Sequence, residues 1–447
     1  MQELKIIFGG IMDFNKAKEY LTTLLKIKSV ESESKEGMPF GEGVEHCLSY
    51  ALDILKDEGF KIKNGKGYYG YGDIGEGDEI FGILCHLDVV PEGKGWTYPP
   101  FGAEEHDNKI YARGALDDKA PFIASLYAIK KLVDENHKFS KKIRIILGCD
   151  EESGWKCMDE YVKNEKMPDI GFSPDGDFPV INCEKGIVYH SIRYPKPEYI
   201  YYIKSGERAN MVPDYAEAKV ILTPEIYDIL QKFDKKIYEI DYSDEYALIK
   251  TYGKSAHGSH PENGENALIK LINLLGKYDK VFKELSVFSE SDGNLIGLNI
   301  EDEKSGKLTL NLGTALTENG EMIFELDVRH PVSFGKEYVT EKLKEKLSGK
   351  VEETFYHLPL YVDKKHPLVK TLLSAYNKVT GENAEPISIG GGTYARVLPL
   401  GVAFGPCFPN SKAGIHCADE YVDLEEFKKM ADIYYYALKE LCTEIDN

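Results

Sequence analysis

Clusters of histidine and acidic residues occur where apolar runs of this sequence end. They are His86 with Asp88, Asp117 with Asp118, Asp150 with Glu151 and Glu152, Asp175 with Asp177, and His416 in "GIHCADEY". Imidazole nitrogens and carboxylate oxygens are common ligands of divalent transition metals. We therefore expect His86 to bind a metal ion and Asp88 to orient His86, with the remaining ligands supplied from elsewhere in the chain.

Each cluster also has an ordinary structural explanation. A His-x-Asp pair at a strand end is commonly a hydrogen-bonded structural pair, and "DEE" is commonly a solvated turn. "LDDK" is typical of a helix N-terminus, and "SPDGD" alone is typical of a turn. The prediction of a metal site therefore depends on the joint placement of the clusters.

That placement follows from the elements that carry the clusters. The runs 81–87 and 143–149 are apolar enough for strands that are buried on both faces, and 168–179 contains another short strand. The segment 117–136 between the first two has helical apolar spacing. Strand–helix–strand alternation indicates a parallel sheet, and ligands bind at the carboxyl ends of parallel strands. The clusters are therefore expected to converge.

Convergence would bring several carboxylates within a few ångströms of one another, where they repel unless protons or cations neutralise them. Two histidines with three carboxylates suit two divalent ions per chain. Mixed nitrogen and oxygen ligation favours Zn²⁺, with Mn²⁺ or Co²⁺ as alternatives. A carboxylate that bridges the two ions would form a two-metal hydrolytic site.

The middle of the chain has a different pattern. From about residue 187 its strands alternate polar and apolar residues, and amphipathic helices are predicted over 224–236, 264–278 and 336–347. The α/β style returns near the C-terminus, where 423–442 is predicted to be a helix. We predict an α/β fold whose catalytic domain (1–186 and 358–447) has a mixed, mostly parallel sheet covered by helices. An α+β lid domain (187–357), with two weakly similar halves, is inserted in it.

Composition limits the partners. With 75 acidic and 55 basic residues, the net charge of −20 argues against nucleic acid and anionic membranes. No apolar run approaches a membrane span, and the opening segment is too interrupted for a signal peptide, although Met12 is an alternative start. Eight dispersed cysteines indicate reduced thiols and a cytoplasmic protein.

Six motifs, in order, carry a resemblance to a known family. They are "HLDVVP", "RGALDDK", "DEESG", "SPDGDFP", "SAHGSHP" and the terminal "HCADEY". The set resembles the co-catalytic metallopeptidases that include carboxypeptidase G, succinyl-diaminopimelate desuccinylase and aminoacylase. The stretches "FSPDGDFPVINCEKG", "RANMVPDYA" and "GGGTYAR" are most similar to the PepV-type dipeptidases. The resemblance spans nearly the whole chain.

The resemblance implies a ligand set. It makes His86 and Asp175 ligands of one ion and Glu152 and His416 ligands of the other, with Asp117 bridging. Asp117 is preferred to Asp118 because the family ligand stands two residues before the lysine. The family often has a cis peptide after this aspartate.

The resemblance also implies catalytic roles. Glu151 would be the general base for a metal-activated water, Asp88 would support His86, and His257 would stabilise the oxyanion. His260 lies close enough to confuse that assignment, and a surface histidine is the ordinary alternative for His257.

Substrate contacts are implied for Asn210, Arg329 and the glycine-rich segment with Gly391, Gly392 and Thr393. A guanidinium suits a free carboxylate. The alternative for Arg329 is a pair with a local acid such as Glu325.

The sequence thus predicts a cytoplasmic dipeptidase that acts on small peptides. Because the inserted segment is long, His257 would act within its own chain, so that a monomer is active; a homodimer stays open. The rival functions are an N-acyl-amino-acid deacylase on the same scaffold and a non-catalytic binding protein.

Overall fold

The computed structural model describes residues 12–232 and 237–444, so the segment before Met12 lies outside the described residues. Within the described residues the chain forms ten α-helices, which are α1 (Phe14–Leu25), α2 (Glu42–Asp57), α3 (Ala120–Asp134), α4 (Lys156–Asn164), α5 (Pro224–Leu230), α6 (Ala267–Leu275), α7 (Lys280–Leu285), α8 (Lys336–Lys346), α9 (Pro367–Thr380) and α10 (Leu424–Cys442).

The same residues form twenty-two strands, several of them very short. They are β1 (Lys61–Asn64), β2 (Tyr69–Ile74), β3 (Ile80–His86), β4 (Glu104–His106), β5 (Lys109–Tyr111), β6 (Lys142–Gly148), β7 (Ile170–Ser173), β8 (Ile181–Glu184), β9 (Gly186–Pro195), β10 (Ile200–Ser205), β11 (Tyr215–Ile221), β12 (Tyr238–Tyr242), β13 (Tyr246–Tyr252), β14 (Glu301–Asp302), β15 (Gly306–Lys307), β16 (Thr309–Glu318), β17 (Glu321–His330), β18 (Lys350–His357), β19 (Leu360–Tyr361), β20 (Ile387–Ile389), β21 (Gly401–Ala403) and β22 (Tyr421–Asp423).

The chain divides into two compact units. The first comprises the described residues up to Asn182, then Val362–Ile387, and those from Thr393 onward; the second comprises Cys183–Tyr361 and Ser388–Gly392.

The first unit is built on a mixed sheet with the strand order β1-β2-β6-β3-β7-β21-β8. Strands β6, β3, β7 and β21 run parallel, and the strands outside them pair antiparallel. Every residue of β3 is buried, and so is every residue of β6 after Lys142. Burial on both faces requires layers above and below the sheet, which explains the predominantly apolar sequences of these strands, with Arg144 of β6 as an exception.

The second unit is an antiparallel sheet of eight strands in the order β12-β13-β11-β10-β16-β17-β9-β18. Strand β11 alternates buried and partly exposed residues, as expected for a sheet that is covered on one face. Helix α6 packs against β11, β13 and β16, and α8 packs against β18. The predicted fold class, α/β with an inserted α+β domain, is confirmed. The predicted domain boundaries and the two similar halves stay predictions.

Two predicted helices begin or end elsewhere. Residues 115–119, predicted to open a helix at 117, form an irregular turn in which Asp117 and Asp118 have non-helical backbone angles, and α3 begins at Ala120. Helix α5 ends at Leu230, and part of the predicted 224–236 helix lies outside the described residues.

All eight cysteines lie in the described residues and are free thiols, as predicted. None of the described helices has the length and apolar character needed to cross a bilayer. The cytoplasmic location stays a prediction.

Candidate metal centre

Three parallel strands bring the first ligand candidates to one edge of the sheet. His86 is the last residue of β3 and lies opposite Gly148 of β6, after which the chain continues to Glu151 and Glu152. On the other side, Ile83 pairs with Phe172 of β7, and the same register carried three residues further puts Asp175 beside His86. The distance from His86 Nε2 to Asp175 Oδ2 is 3.8 Å.

Asp117 lies between the two histidines of the cluster. His86 Nε2 is 2.7 Å from Asp117 Oδ1, and His416 Nε2 is 2.9 Å from Asp117 Oδ2. His416 Nε2 is also 3.0 Å from Glu152 Oε1. Each oxygen of one carboxylate thus faces a different imidazole, which is the disposition that a bridging ligand needs.

Asp118 has a different environment from its neighbour. Its side chain is fully buried, and its Oδ2 accepts a hydrogen bond from the backbone N–H of His86 at 3.1 Å. The Asp117–Asp118 peptide bond is cis, as the family resemblance implied.

Asp88 contacts two of the candidate ligands. Its backbone carbonyl lies 2.9 Å from His86 Nδ1, and its Oδ1 lies 3.6 Å from the same nitrogen. Its Oδ2 accepts a hydrogen bond from the backbone N–H of Glu152 at 3.0 Å. The sequence predicted the first of these neighbours but not the second.

The loop that carries Glu151 is fixed by its own residues. Asp150 accepts hydrogen bonds from the backbone N–H groups of Gly154 (2.9 Å) and Lys156 (2.8 Å). The indole Nε1 of Trp155 donates to the Glu151 carbonyl at 2.9 Å. The general-base candidate therefore stands on a short, heavily hydrogen-bonded turn.

The carboxyl groups of this cluster lie close together, and their pKa values reflect their burial and their mutual repulsion. Burial, followed by the charge of Asp117, raises the pKa of Asp175 to about 7. Burial and the neighbouring Asp175 hold the pKa of Glu151 well above its ordinary value. Hydrogen bonds to Asp117 and Glu152 raise the pKa of His416 to about 11. Negative charge thus accumulates where cations would neutralise it.

The donor atoms fit metal ions. In each of two groups, His86 with Glu151 and Asp175, and Asp117 with Glu152 and His416, the ligand atoms lie within 4.8 Å of one another. Imidazole nitrogen with carboxylate oxygen is a donor set suited to zinc and similar ions. The first group includes Glu151, which the sequence predicted to be a base and not a ligand.

The lid-domain candidates lie in the second unit. Met211 and His257 form a β-bridge, and the backbone N–H of Gly258 donates to the Asn210 carbonyl at 2.7 Å. His257 Nδ1 accepts from the backbone N–H of Ser259 at 3.2 Å and lies 2.6 Å from its Oγ. An accepting Nδ1 puts the proton of the neutral ring on Nε2.

Arg329 is almost completely buried and pairs with Asp327, which sequence analysis missed. Its Nε and Nη2 donate to the two Asp327 oxygens at 2.7 and 2.8 Å, and its Nη1 donates to the Gly390 carbonyl at 3.0 Å. The local acid is therefore Asp327 and not Glu325: both share a strand face with Arg329, and Asp327 is the nearer of the two, two residues away.

The glycine-rich segment is divided between the two units. Gly391 and Gly392 belong to the second unit and Thr393 to the first. A Cβ atom on Gly176 would lie 3.6 Å from Thr393 Cγ2, so this threonine lies beside the loop of Asp175.

Comparison with known proteins gives a family and a fold. The model of the peptidase family M20/M25/M40 matches residues 82–440. A protein named "Putative dipeptidase YtjP" from Bacillus subtilis is 41% identical over 441 residues, which cover 93% of this chain and 95% of that protein. "Putative dipeptidase SSP1012" from Staphylococcus saprophyticus is 37% identical over 96% of this chain and 99% of its own length.

Solved structures share the fold at low sequence identity. An M20 family metallo-carboxypeptidase from Sulfolobus solfataricus aligns with a TM-score of 0.59 and 19% identity over 96% of this chain and 99% of its own. Human carnosine dipeptidase 1 aligns with a TM-score of 0.55 and 15% identity, again over 96% of this chain, and over 97% of its own. These two structures support the fold class alone.

Proposed function

Because the chain belongs to peptidase family M20/M25/M40, and is thus a metal-dependent hydrolase, we propose that it is a dipeptidase that cleaves the amide bond of small peptides. The names of relatives that match nearly its whole length support the substrate class.

The observation that carries this proposal is the position of Asp117, with one oxygen toward His86 and the other toward His416. His86 and Asp175 would hold one divalent ion, Glu152 and His416 the other, and Asp117 both. Zinc suits the donor set best, with manganese or cobalt as alternatives. When bound, such ions supply Lewis-acid activation of water and of the substrate carbonyl.

Glu151 is the proton carrier in this proposal. Its carboxylate takes a proton from the attacking water and delivers it to the leaving amine nitrogen, which makes it base and then acid. The hydrogen bond from Trp155 to the Glu151 carbonyl fixes the turn that presents this carboxylate.

His257 stabilises the oxyanion. The backbone N–H of Ser259 donates to Nδ1, so Nε2 carries the hydrogen in the neutral ring. Nε2 can donate this hydrogen to the negative charge that develops on the substrate oxygen. The segment 187–357 would act as the lid domain that supplies this imidazole, and because it belongs to the same chain a monomer would suffice.

Arg329 and Asn210 bind the substrate with the glycine-rich segment of Gly391, Gly392 and Thr393. Asp327 takes two of the five Arg329 N–H groups, the Gly390 carbonyl a third and the Tyr189 hydroxyl a fourth at 3.5 Å, which leaves one for a free carboxylate of the peptide. If Arg329 binds the free carboxylate of the peptide, that carboxylate must lie at a fixed distance from the scissile bond. The enzyme would then cleave only short peptides.

Two adjacent substitutions test the assignment. Glu151→Gln is expected to lower kcat on a dipeptide by 10²-fold or more, roughly the contribution of a general base, while zinc content stays at the wild-type value. Glu152→Gln should instead lose zinc, since Glu152 would be a ligand. Wild-type turnover in Glu151→Gln, or loss of its zinc, would refute the role of Glu151 as base.

A substrate panel tests the reaction class. Free dipeptides and N-acylated amino acids are compared in the presence of added Zn²⁺ or Mn²⁺. We expect the dipeptides to be cleaved; a preference for N-acylated amino acids would instead identify a deacylase.

A further inference from the structure

Glu420 joins the two loops that carry Asp117 and His416. It lies four residues after His416, and only 1% of its surface is exposed. Its Oε1 accepts hydrogen bonds from the backbone N–H groups of Leu116 (3.0 Å) and Asp117 (3.4 Å). The Glu420 carbonyl also accepts from the Ala112 N–H at 3.0 Å. One residue thus connects segments about 300 positions apart in the sequence.

Arg113 holds the other oxygen of this carboxylate. Its Nη1 donates to Glu420 Oε2 at 2.5 Å, and both side chains are almost completely buried. Arg113 is itself fixed, because its guanidinium lies over the Trp96 ring at 5.3 Å and its backbone N–H donates to the Pro100 carbonyl at 2.8 Å. The direction of the Glu420 carboxylate is therefore determined from both sides.

A buried ion pair of this kind is weak evidence for a stabilising role. The free energy needed to remove both charges from water is about as large as the free energy of their attraction. The contacts of this pair point to another role. Glu420 binds the main chain of Asp117, and the Glu420 loop carries His416, so the pair sets the distance between the Asp117 carboxylate and the His416 imidazole.

We infer that Arg113 and Glu420 are positioning residues of the metal centre, which raise its affinity for divalent ions without contacting them. This inference rests on the proposed function, since it takes Asp117 and His416 as ligands. Partners that orient metal ligands typically change affinity by about 10–100-fold when they are removed.

The test is Glu420→Gln. A neutral amide has one accepting oxygen and one donating nitrogen, so it cannot accept from Arg113 on one side and from the Leu116 and Asp117 N–H groups on the other. We expect the affinity for Zn²⁺, measured by competition with a chelator, to fall by about 10–100-fold.

Asp73→Asn is the matched control. Asp73 accepts from Nε and Nη2 of Arg144 at 2.6 and 2.7 Å, and this pair lies near the opposite, amino end of β6. The Asp73→Asn substitution makes the same change, from carboxylate to amide, in another largely buried ion pair of the same unit. Both variants should lower the melting temperature, but only Glu420→Gln should lower the affinity for Zn²⁺. Equal losses of affinity in both, or wild-type affinity in Glu420→Gln, would overturn the inference.

Arg113 variants test the same point if Glu420→Gln fails to fold. Arg113→Lys keeps a cation beside Glu420 and should retain most of the affinity, whereas Arg113→Met leaves the carboxylate unpaired and should lose it. Equal affinities in the two variants would overturn the inference. The wild-type chain distinguishes the two claims: if it binds Zn²⁺ and cleaves dipeptides while all variants bind like wild type, the inference fails and the proposed function stands. A wild type that binds none of Zn²⁺, Mn²⁺ and Co²⁺ refutes both.

Discussion

Gly258→Ala is a sharp test of whether the position of His257 matters for the reaction. Gly258 follows His257 directly, and a Cβ atom there would lie 2.7 Å from Asp327 Oδ2 and 2.9 Å from the Asn210 carbonyl oxygen. Neither atom can yield easily. Asp327 is held by Arg329 at 2.8 Å, and the Asn210 oxygen belongs to the main chain.

The size of the effect follows from these distances. Ordinary contact begins at 3.4 Å, so about 0.7 Å of movement must be divided between the 257–259 loop and its neighbours. Misplacing a catalytic group by about 1 Å can cost about 10²-fold in rate. We therefore expect kcat/KM for a dipeptide to fall by roughly 10–100-fold, or about 1.4–2.7 kcal/mol of transition-state stabilisation.

The assay is steady-state hydrolysis at saturating Zn²⁺, with zinc content and melting temperature measured on the same samples. Gly335→Ala is the control, because its Cβ would meet only the exposed end of Glu337, at 2.7 Å. Zinc content should stay at the wild-type value in both variants. If Gly258→Ala keeps kcat/KM within twofold of wild type, His257 is not the group whose position limits the reaction.

Three further results are expected. Ser259→Ala removes the hydroxyl at His257 Nδ1 and should lower kcat about tenfold at unchanged zinc content, whereas Ser259→Thr should restore it. Burial lowers the pKa of His190 from 6.5 to about 4, so the folding stability that it contributes is complete above pH 6.5 and declines as the pH falls toward 4, by about 3 kcal/mol in all. Urea unfolding of His190→Gln should lack this part of the pH dependence, and an unchanged profile would exclude His190 as its source. Chelation should lower the melting temperature reversibly, since ligand at about 1,000 times its Kd stabilises the folded state by about 4 kcal/mol; a melting temperature that does not respond to chelation would count against the metal centre.

The fold could be predicted largely because the patterns in its strands are strong. Strands β3 and β6 are predominantly apolar, whereas β17 alternates polar and apolar residues over most of its length. This difference distinguishes a sheet that is covered on both faces from one that is covered on a single face. Helix α3 begins later than predicted because local propensity does not reveal that the Asp117 segment must depart from helical geometry to face two imidazoles.

The sequence motifs predicted the candidate ligands and the candidate base, but missed several of the residues that contact them. Glu420 and Arg113 were missed although they lie inside "HCADEY" and "RGALDDK", because a pair about 300 residues apart leaves no local signal. Asp327 was visible in principle, since period-two alternation puts it on the same strand face as Arg329. The Ser259 contact, which fixes the His257 tautomer, depends on side-chain geometry that spacing does not define.

The central claim is that Asp117 bridges two divalent ions, and zinc equivalents per chain test it most directly. Wild-type protein, loaded with Zn²⁺ and freed of excess metal, should retain two equivalents, and Asp117→Ala should retain at most one. One equivalent or none in the wild type, or two equivalents in Asp117→Ala, would contradict the account.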